Sequence, residues 1–203
     1  LYTGANPDDI ACAQDIIVLS PGIPCDLPFI LAAEEAGVSV ISEVELAYTL
    51  TKCPITAITG TNGKTTTTTL TGEIMKAVYG NTAVVGNIGI PYSDEVERLT
   101  EKDWVVAEIS SFQMEKAKEF KPHISAVLNI TPDHLNRHHT MENYILAKEE
   151  IAKNQTEEDT CVLNYEDEVT RQFGKNVRAK VLYFSSQRKL EKGIYLEDGN
   201  IIY

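Results

Sequence analysis

Residues 58–70 read ITGTNGKTTTTTL. A β-branched apolar run, ITAIT (55–59), leads into Gly60 and Gly63, and Lys64 then opens a stretch of helical character reaching about Tyr79. Five consecutive threonines, Thr65 to Thr69, are an odd choice for a helix that only packs, because β-branched side chains are stiff there. Strand, Gly-rich turn and Gly-Lys-Thr opening a helix is the architecture of a phosphate-binding P-loop. The glycines let successive N–H groups point inward, and the helix N-terminus adds its dipole. The lysine brings a point charge to the phosphates, and the hydroxyl behind it can ligate Mg²⁺. The usual spacing asks for glycine at position 58, where this chain has Ile58, so the loop is a shorter variant. A turn that merely links strand and helix gives no reason for a cation at the positive end of a helix dipole, which costs about 0.3–1 kcal/mol. The expected nucleotide-binding residues are Gly60, Thr61, Asn62, Gly63, Lys64, Thr65 and Thr66.

Outward from this loop, strand and helix signals alternate. Before it come a strand at 15–20, a helix at 28–37 opened by Pro28 and stopped by Gly37, and a strand at 38–41. Ser42 with Glu45 reads as a capping box starting a short helix. After the loop come strands at 82–86, 103–110, 125–130, 161–164 and 180–185, a helix at 140–154, and a hairpin around Asp198-Gly199. The expected fold is α/β: a P-loop-type domain with a mostly parallel sheet and helices on both faces, preceded by the later part of a Rossmann-like unit. The expected division is 1–46 and 47–203.

The chain has 203 residues and a net charge of −12, which argues against nucleic acid as a partner. No apolar run approaches the ~18 residues of a membrane helix. Its four cysteines, Cys12, Cys25, Cys53 and Cys161, form no CxxC pair and suit a reducing cytoplasm. The chain starts at Leu1 rather than Met, which suggests an excerpt of a longer protein.

Three further positions carry chemistry. Glu108 ends the apolar strand DWVVAE, where a Mg²⁺-ordering acid belongs beside a P-loop strand; otherwise it is a strand-end charge reaching water. In LNITPDHLNRHH, His134 and His138 are four apart, but no HExxH is present, so a zincin is disfavoured. The reading there is that His134 points back at the sheet edge, with His138 and His139 on the surface and His123 structural or solvated. In the 140–154 helix the apolar stripe of Met141, Tyr144, Ile145, Ile151 and Ala152 places Lys148 in its middle. That lysine either snorkels outward or faces in as an active-site group with a depressed pKa or a covalent modification, and the pattern leaves both open.

Together, TGTNGKTT, SPGIP (20–24), GNIGIP (86–91), EISSFQME (108–115), LNITPDHLNRH (128–138) and MENYILAK (141–148) resemble the Mur ligase family, the ATP-dependent ligases of cell-wall precursor synthesis. The segment SSFQM, where a diaminopimelate- or lysine-adding member reads SSHAL, favours the branch that adds D-glutamate to UDP-N-acetylmuramoyl-L-alanine. The resemblance implies ATP and two Mg²⁺ ions, one held by Thr65 and Glu108 and one by His134 and a carbamylated Lys148. It also implies Lys64, Glu108, His134 and Lys148 as catalytic residues. Asn87, Ser110 and Gln113 would line the substrate cleft, with Ser20, Pro21 and Gly22 near the uridine end. It further implies a cytoplasmic monomer. Much of the uridine-binding domain and all of a C-terminal domain would lie outside this sequence, leaving the excerpt inactive alone. The rival readings are another amide ligase of the same family and a non-catalytic ATP-binding module, which has no use for Lys148.

Overall fold

The computed structural model describes residues 8–203. The first seven residues of the expected 1–46 unit lie outside that range. Strands β1 (Ile16–Leu19) and β2 (Ser39–Ser42) form a parallel pair, connected through helix α2 (Pro28–Glu35) and preceded by the single turn α1 (Asp8–Ala11). Pro28 opens α2 and Gly37, at φ +87°, follows its end.

Helix α3 (Glu43–Leu50) leads into an eight-stranded sheet. Its strands are β3 (Ile55–Thr59), β4 (Thr82–Gly86), β5 (Trp104–Glu108), β6 (Ile124–Val127), β7 (Thr160–Asn164), β8 (Lys180–Ser185), β9 (Ile194–Glu197) and β10 (Asn200–Ile202). The spatial order is β10-β9-β8-β7-β6-β3-β5-β4, parallel throughout except for the β9–β10 hairpin. The helices are α4 (Lys64–Tyr79), α5 (Ser111–Met114), α6 (Leu135–His138), α7 (Met141–Glu149) and α8 (Glu168–Phe173). A 3₁₀ turn, Glu150–Ala152, extends α7.

Alternation along the strands sets the two faces. Ile55, Ala57, Val105, Ala107, Cys161 and Leu163 look toward α3, α7 and α8, in one core with Val44, Ala47, Tyr144, Ile151 and Phe173. Ile58, Val106 and Ala126 look the other way, against Met75 of α4. Ser42 accepts the Glu45 amide as the N-cap of α3. The reciprocal half of the expected box is not made. The Glu45 carboxylate instead accepts the amides of Glu119 and Phe120, at 2.7 and 3.0 Å, and ties α3 to the segment that leads into β6.

The register brings the functional strand ends level: Glu108 lies opposite Ile58 on one side and Gly86 on the other. Gly86 is at φ +107°, and a Cβ there would lie 2.3 Å from the carbonyl oxygen of Glu108. Gly86→Ala is expected to destabilise the protein by about 2–4 kcal/mol, from the left-handed backbone plus the overpacking. Thermal unfolding checks this, and an unchanged midpoint would mean that β4 can give way there.

Candidate active site

The loop between β3 and α4 wraps over the carboxyl end of the sheet. Gly63 caps α4 in the left-handed region, φ +83°, which a residue with a Cβ adopts reluctantly. The loop is tied down by its neighbours. The Asn62 amide donates to Asn129 Oδ1 at 2.8 Å, and Asn129 Nδ2 donates back to the Asn62 carbonyl at 3.0 Å. Thr61 Oγ1 donates to the Thr131 carbonyl, accepts from the Thr131 amide, and lies 3.1 Å from the Tyr144 hydroxyl. Lys64 Nζ donates to the carbonyls of Gly60 and Thr61, both at 2.9 Å.

Glu108 is 1 % exposed, and its carboxylate is held from two sides. Thr65 Oγ1 donates to Oε2 at 2.9 Å, and Asn87 Nδ2 donates to Oε1 at 2.8 Å. The charge does not escape to water as a plain strand-end carboxylate would. Thr66 is exposed beside Thr65 on the first turn of α4.

Lys148 faces inward and is 2 % exposed. Its Nζ donates to the Gly60 carbonyl at 2.9 Å and sits 4.8 Å from the centre of the Tyr144 ring. Burial and, next, the positive charge of Lys64 bring its pKa down to about 7, against an opposing pull from Asp133. Two lysines from distant parts of the chain thus meet at one carbonyl. His134 is half exposed, with its ring centre 6.3 Å from that of Tyr144 and Nε2 3.5 Å from the Asp133 carboxylate. The structure puts Thr65 and Glu108 in direct contact, and puts His134 and Lys148 on the same ring, Tyr144.

A divalent cation fits the first pair. A hydroxyl and a carboxylate are hard oxygen donors, and such ions complete their shell with phosphate and water oxygens. Among the described residues no group of three or more His, Cys, Asp or Glu forms a self-sufficient metal cage, so such an ion depends on those outside oxygens.

Ser110 and Gln113 close a capping box on α5, with Gln113 Oε1 accepting both the Ser110 amide and its hydroxyl at 2.9 Å. Ser20 and Gly22 are exposed just beyond the carboxyl end of β1, with Pro21 between them. His139 is exposed, as expected, and the His123 ring accepts the Ile55 amide, a structural role. His138 is not a surface group. It is 6 % exposed, its Nε2 pairs with Ser111 Oγ at 2.9 Å, and its ring stacks on Phe112. Burial lowers its pKa. Sequence reading also passed over Arg137 and Glu115, which are joined at 2.7 Å beside His138.

The family description "Mur ligase middle domain" matches residues 58–200, the span that holds this loop and most of the sheet behind it. The chain belongs to the Mur ligase family. Relatives named UDP-N-acetylmuramoylalanine–D-glutamate ligase match along its length. The one from Lachnoclostridium phytofermentans is 54 % identical over 203 residues, covering all of this chain and 45 % of that protein. The one from Clostridioides difficile is 54 % identical over 200 residues, covering 98 % and 44 %. This Mur ligase chain therefore spans under half the length of the curated relatives it matches. Among solved structures, a UDP-N-acetylmuramate:L-alanyl-gamma-D-glutamyl-meso-diaminopimelate ligase from Neisseria meningitides superposes with TM-score 0.63 at 16 % identity, covering 92 % of this chain and 66 % of that one. A UDP-N-acetylmuramoyl-L-alanyl-D-glutamate–2,6-diaminopimelate ligase gives 0.60 at 21 %, covering 90 % and 48 %. At such identities the likeness is one of fold. Among the described residues no helix is long and apolar enough to cross a membrane.

Proposed function

We propose that the full-length protein carrying this chain is a cytoplasmic, monomeric, ATP-dependent amide ligase that joins D-glutamate to UDP-N-acetylmuramoyl-L-alanine. The observation that carries the ATP-dependent chemistry is the convergence of Lys64, Lys148 and the Thr65–Glu108 pair around the Gly60 turn. The choice of substrates is supported by the names of relatives 54 % identical over essentially the whole chain. Residues 47–203 form the nucleotide-binding domain, and residues up to 46 belong to the domain that meets the uridine end.

A carboxylate is a poor electrophile. In this reaction its oxygen attacks the γ-phosphorus of ATP and ADP departs. The amine of D-glutamate then attacks the acyl carbon, and phosphate leaves as the amide forms. Lys64 neutralises the phosphates as charge moves between them, and the backbone N–H groups at the start of α4 orient them. Thr66 adds a second hydroxyl to the phosphate, and Asn87, Ser110 and Gln113 line the cleft where the sugar nucleotide lies. Ser20, Pro21 and Gly22 meet its uridine end. Thr65 and Glu108 would hold one Mg²⁺, and His134 with a carbamylated Lys148 a second; such ions offset the negative charge of two anions brought together. A module that only stores ATP gives no account of the inward Lys148.

The test is amide formation by the full-length protein, followed by mass spectrometry, with D-glutamate offered against L-lysine and meso-diaminopimelate. D-glutamate is expected to be the amine used. Incorporation of either competitor instead moves the protein to another branch, and ATP binding without amide formation makes it a non-catalytic module. The 203-residue chain alone is expected to give no product, because closure of further domains supplies positioning worth about 7–11 kcal/mol.

A further inference from the structure

Arg137 lies on α6, three residues after His134, yet its guanidinium reaches across to the loop that follows β1. Nη1 donates to the Pro21 carbonyl and Nη2 to the Ile23 carbonyl, each at 3.0 Å. Nη2 also meets Glu115 Oε2 at 2.7 Å, and the guanidinium lies 4.3 Å over the Phe112 ring. The thiol of Cys25, at the end of the same loop, donates to that Glu115 oxygen at 3.1 Å. Among the described residues, Arg137 makes both hydrogen bonds that residues 21–24 receive from the rest of the protein. Among the described residues, the other polar bridges between the two units run from Lys116 to Glu34, from Lys118 to Ser39, from the Ser42 amide to the Lys116 carbonyl, and from the amides of Ser93, Glu119 and Phe120 to Glu43 and Glu45, away from this loop.

Ligands of open parallel sheets gather beyond the carboxyl ends of the strands. The loop at 20–24 leaves the carboxyl end of β1, and the segment bearing His134 leaves that of β6. A planar five-donor fork, stacked on an aromatic ring and anchored by a carboxylate, fixes the distance between these two ends. We propose that Arg137 is a positioning residue that holds the 20–24 loop at the substrate cleft. Its effect on substrate binding rests on the functional reading above, in which Ser20, Pro21 and Gly22 meet the nucleotide-sugar substrate. Its grip on the loop does not.

Two measurements on the full-length protein separate these. In Arg137→Ala, hydrogen exchange of the amides of Gly22, Ile23 and Cys25 speeds up while β1 and β2 stay as protected as before. In steady-state kinetics, KM for the nucleotide-sugar substrate rises about tenfold or more, the scale of one or two lost charge-assisted hydrogen bonds, while KM for ATP stays within about twofold. Arg137→Lys, which keeps the charge on Glu115 but cannot fork to two carbonyls, recovers part of the loss. Glu115→Gln, which keeps the acceptor and removes the charge, gives a smaller rise in the same KM and serves if Arg137→Ala does not fold. Unchanged exchange at 22–25 overturns the clamp. Faster exchange with both KM values unmoved, in a protein that makes the amide, overturns the positioning role. A wild-type protein that makes no amide overturns the functional reading and leaves the exchange result to decide the clamp.

Discussion

Lys148→Ala is expected to abolish amide formation by the full-length protein, and acetate or formate to restore part of it. An ordinary lysine is a neutral amine in fewer than about one molecule in a thousand at pH 7, from a pKa near 10.4. With its pKa brought down to about 7 by burial and by Lys64, Lys148 is a neutral amine far more often at that pH. A neutral amine attacks CO₂, forms the N–C bond of a carbamate and releases a proton. The side chain then ends in anionic oxygens, which suit a hard cation where an ammonium does not. On the proposed carbamylation, alanine would remove those oxygens and leave room for a small carboxylate to supply them. A fully active Lys148→Ala variant, or an intact mass without the carbamate under high bicarbonate, would sink the assignment. The same shift has a signature in stability. The folded pKa lies below the unfolded one, so the unfolded chain binds the extra proton between about pH 7 and 10.5. Stability therefore rises with pH across that window and is lost as pH falls back through it. Lys148→Met, neutral at every pH, should not show that gain.

Lys64→Ala is expected to lower turnover by about 10²-fold or more. The ammonium is held by the carbonyls of Gly60 and Thr61 at the mouth of the loop. In that place it can exchange backbone acceptors for phosphate oxygens with little movement. Nothing else among the loop side chains has a positive charge: Thr61, Asn62, Thr65 and Thr66 are neutral. Near-normal turnover of the alanine variant would mean that the turn links strand to helix and does not grip phosphate.

The elements were largely legible because periodicity and punctuation agree. ITAIT ends at a glycine and becomes β3, and α4 runs from Lys64 to Tyr79, stopped by Gly80. The inward course of Lys148 was half legible. The stripe put it between Tyr144 and Ile151, both buried, but only the packed structure decides between facing in and snorkelling out. His138 was misread because α6 is a four-residue turn, too short for a stripe, and the groups that bury it, Ser111 and Phe112, come from a segment 26 or more residues earlier. Arg137 was invisible for a different reason. It is satisfied by main-chain carbonyls more than a hundred positions away, and carbonyls leave no mark in a sequence. Ser110 and Gln113 did leave one: a Ser followed three residues later by Gln is a capping signature, and here it is a capping box.

The shared Gly60 carbonyl has one more consequence. Two nitrogen-bearing side chains crowd one acceptor, and the cationic Lys64 is close enough to Lys148 to depress its basicity. The turn is thus charged in advance of any guest. An anion settling there relieves repulsion as well as forming bonds, so any species that binds the folded form selectively shifts the folding equilibrium by mass action. On the proposed phosphate-binding role, the melting temperature is expected to depend on the buffer: phosphate or sulfate should act as a titrant of the fold, and a buffer of bulky, weakly coordinating ions should report the stability of the bare polypeptide.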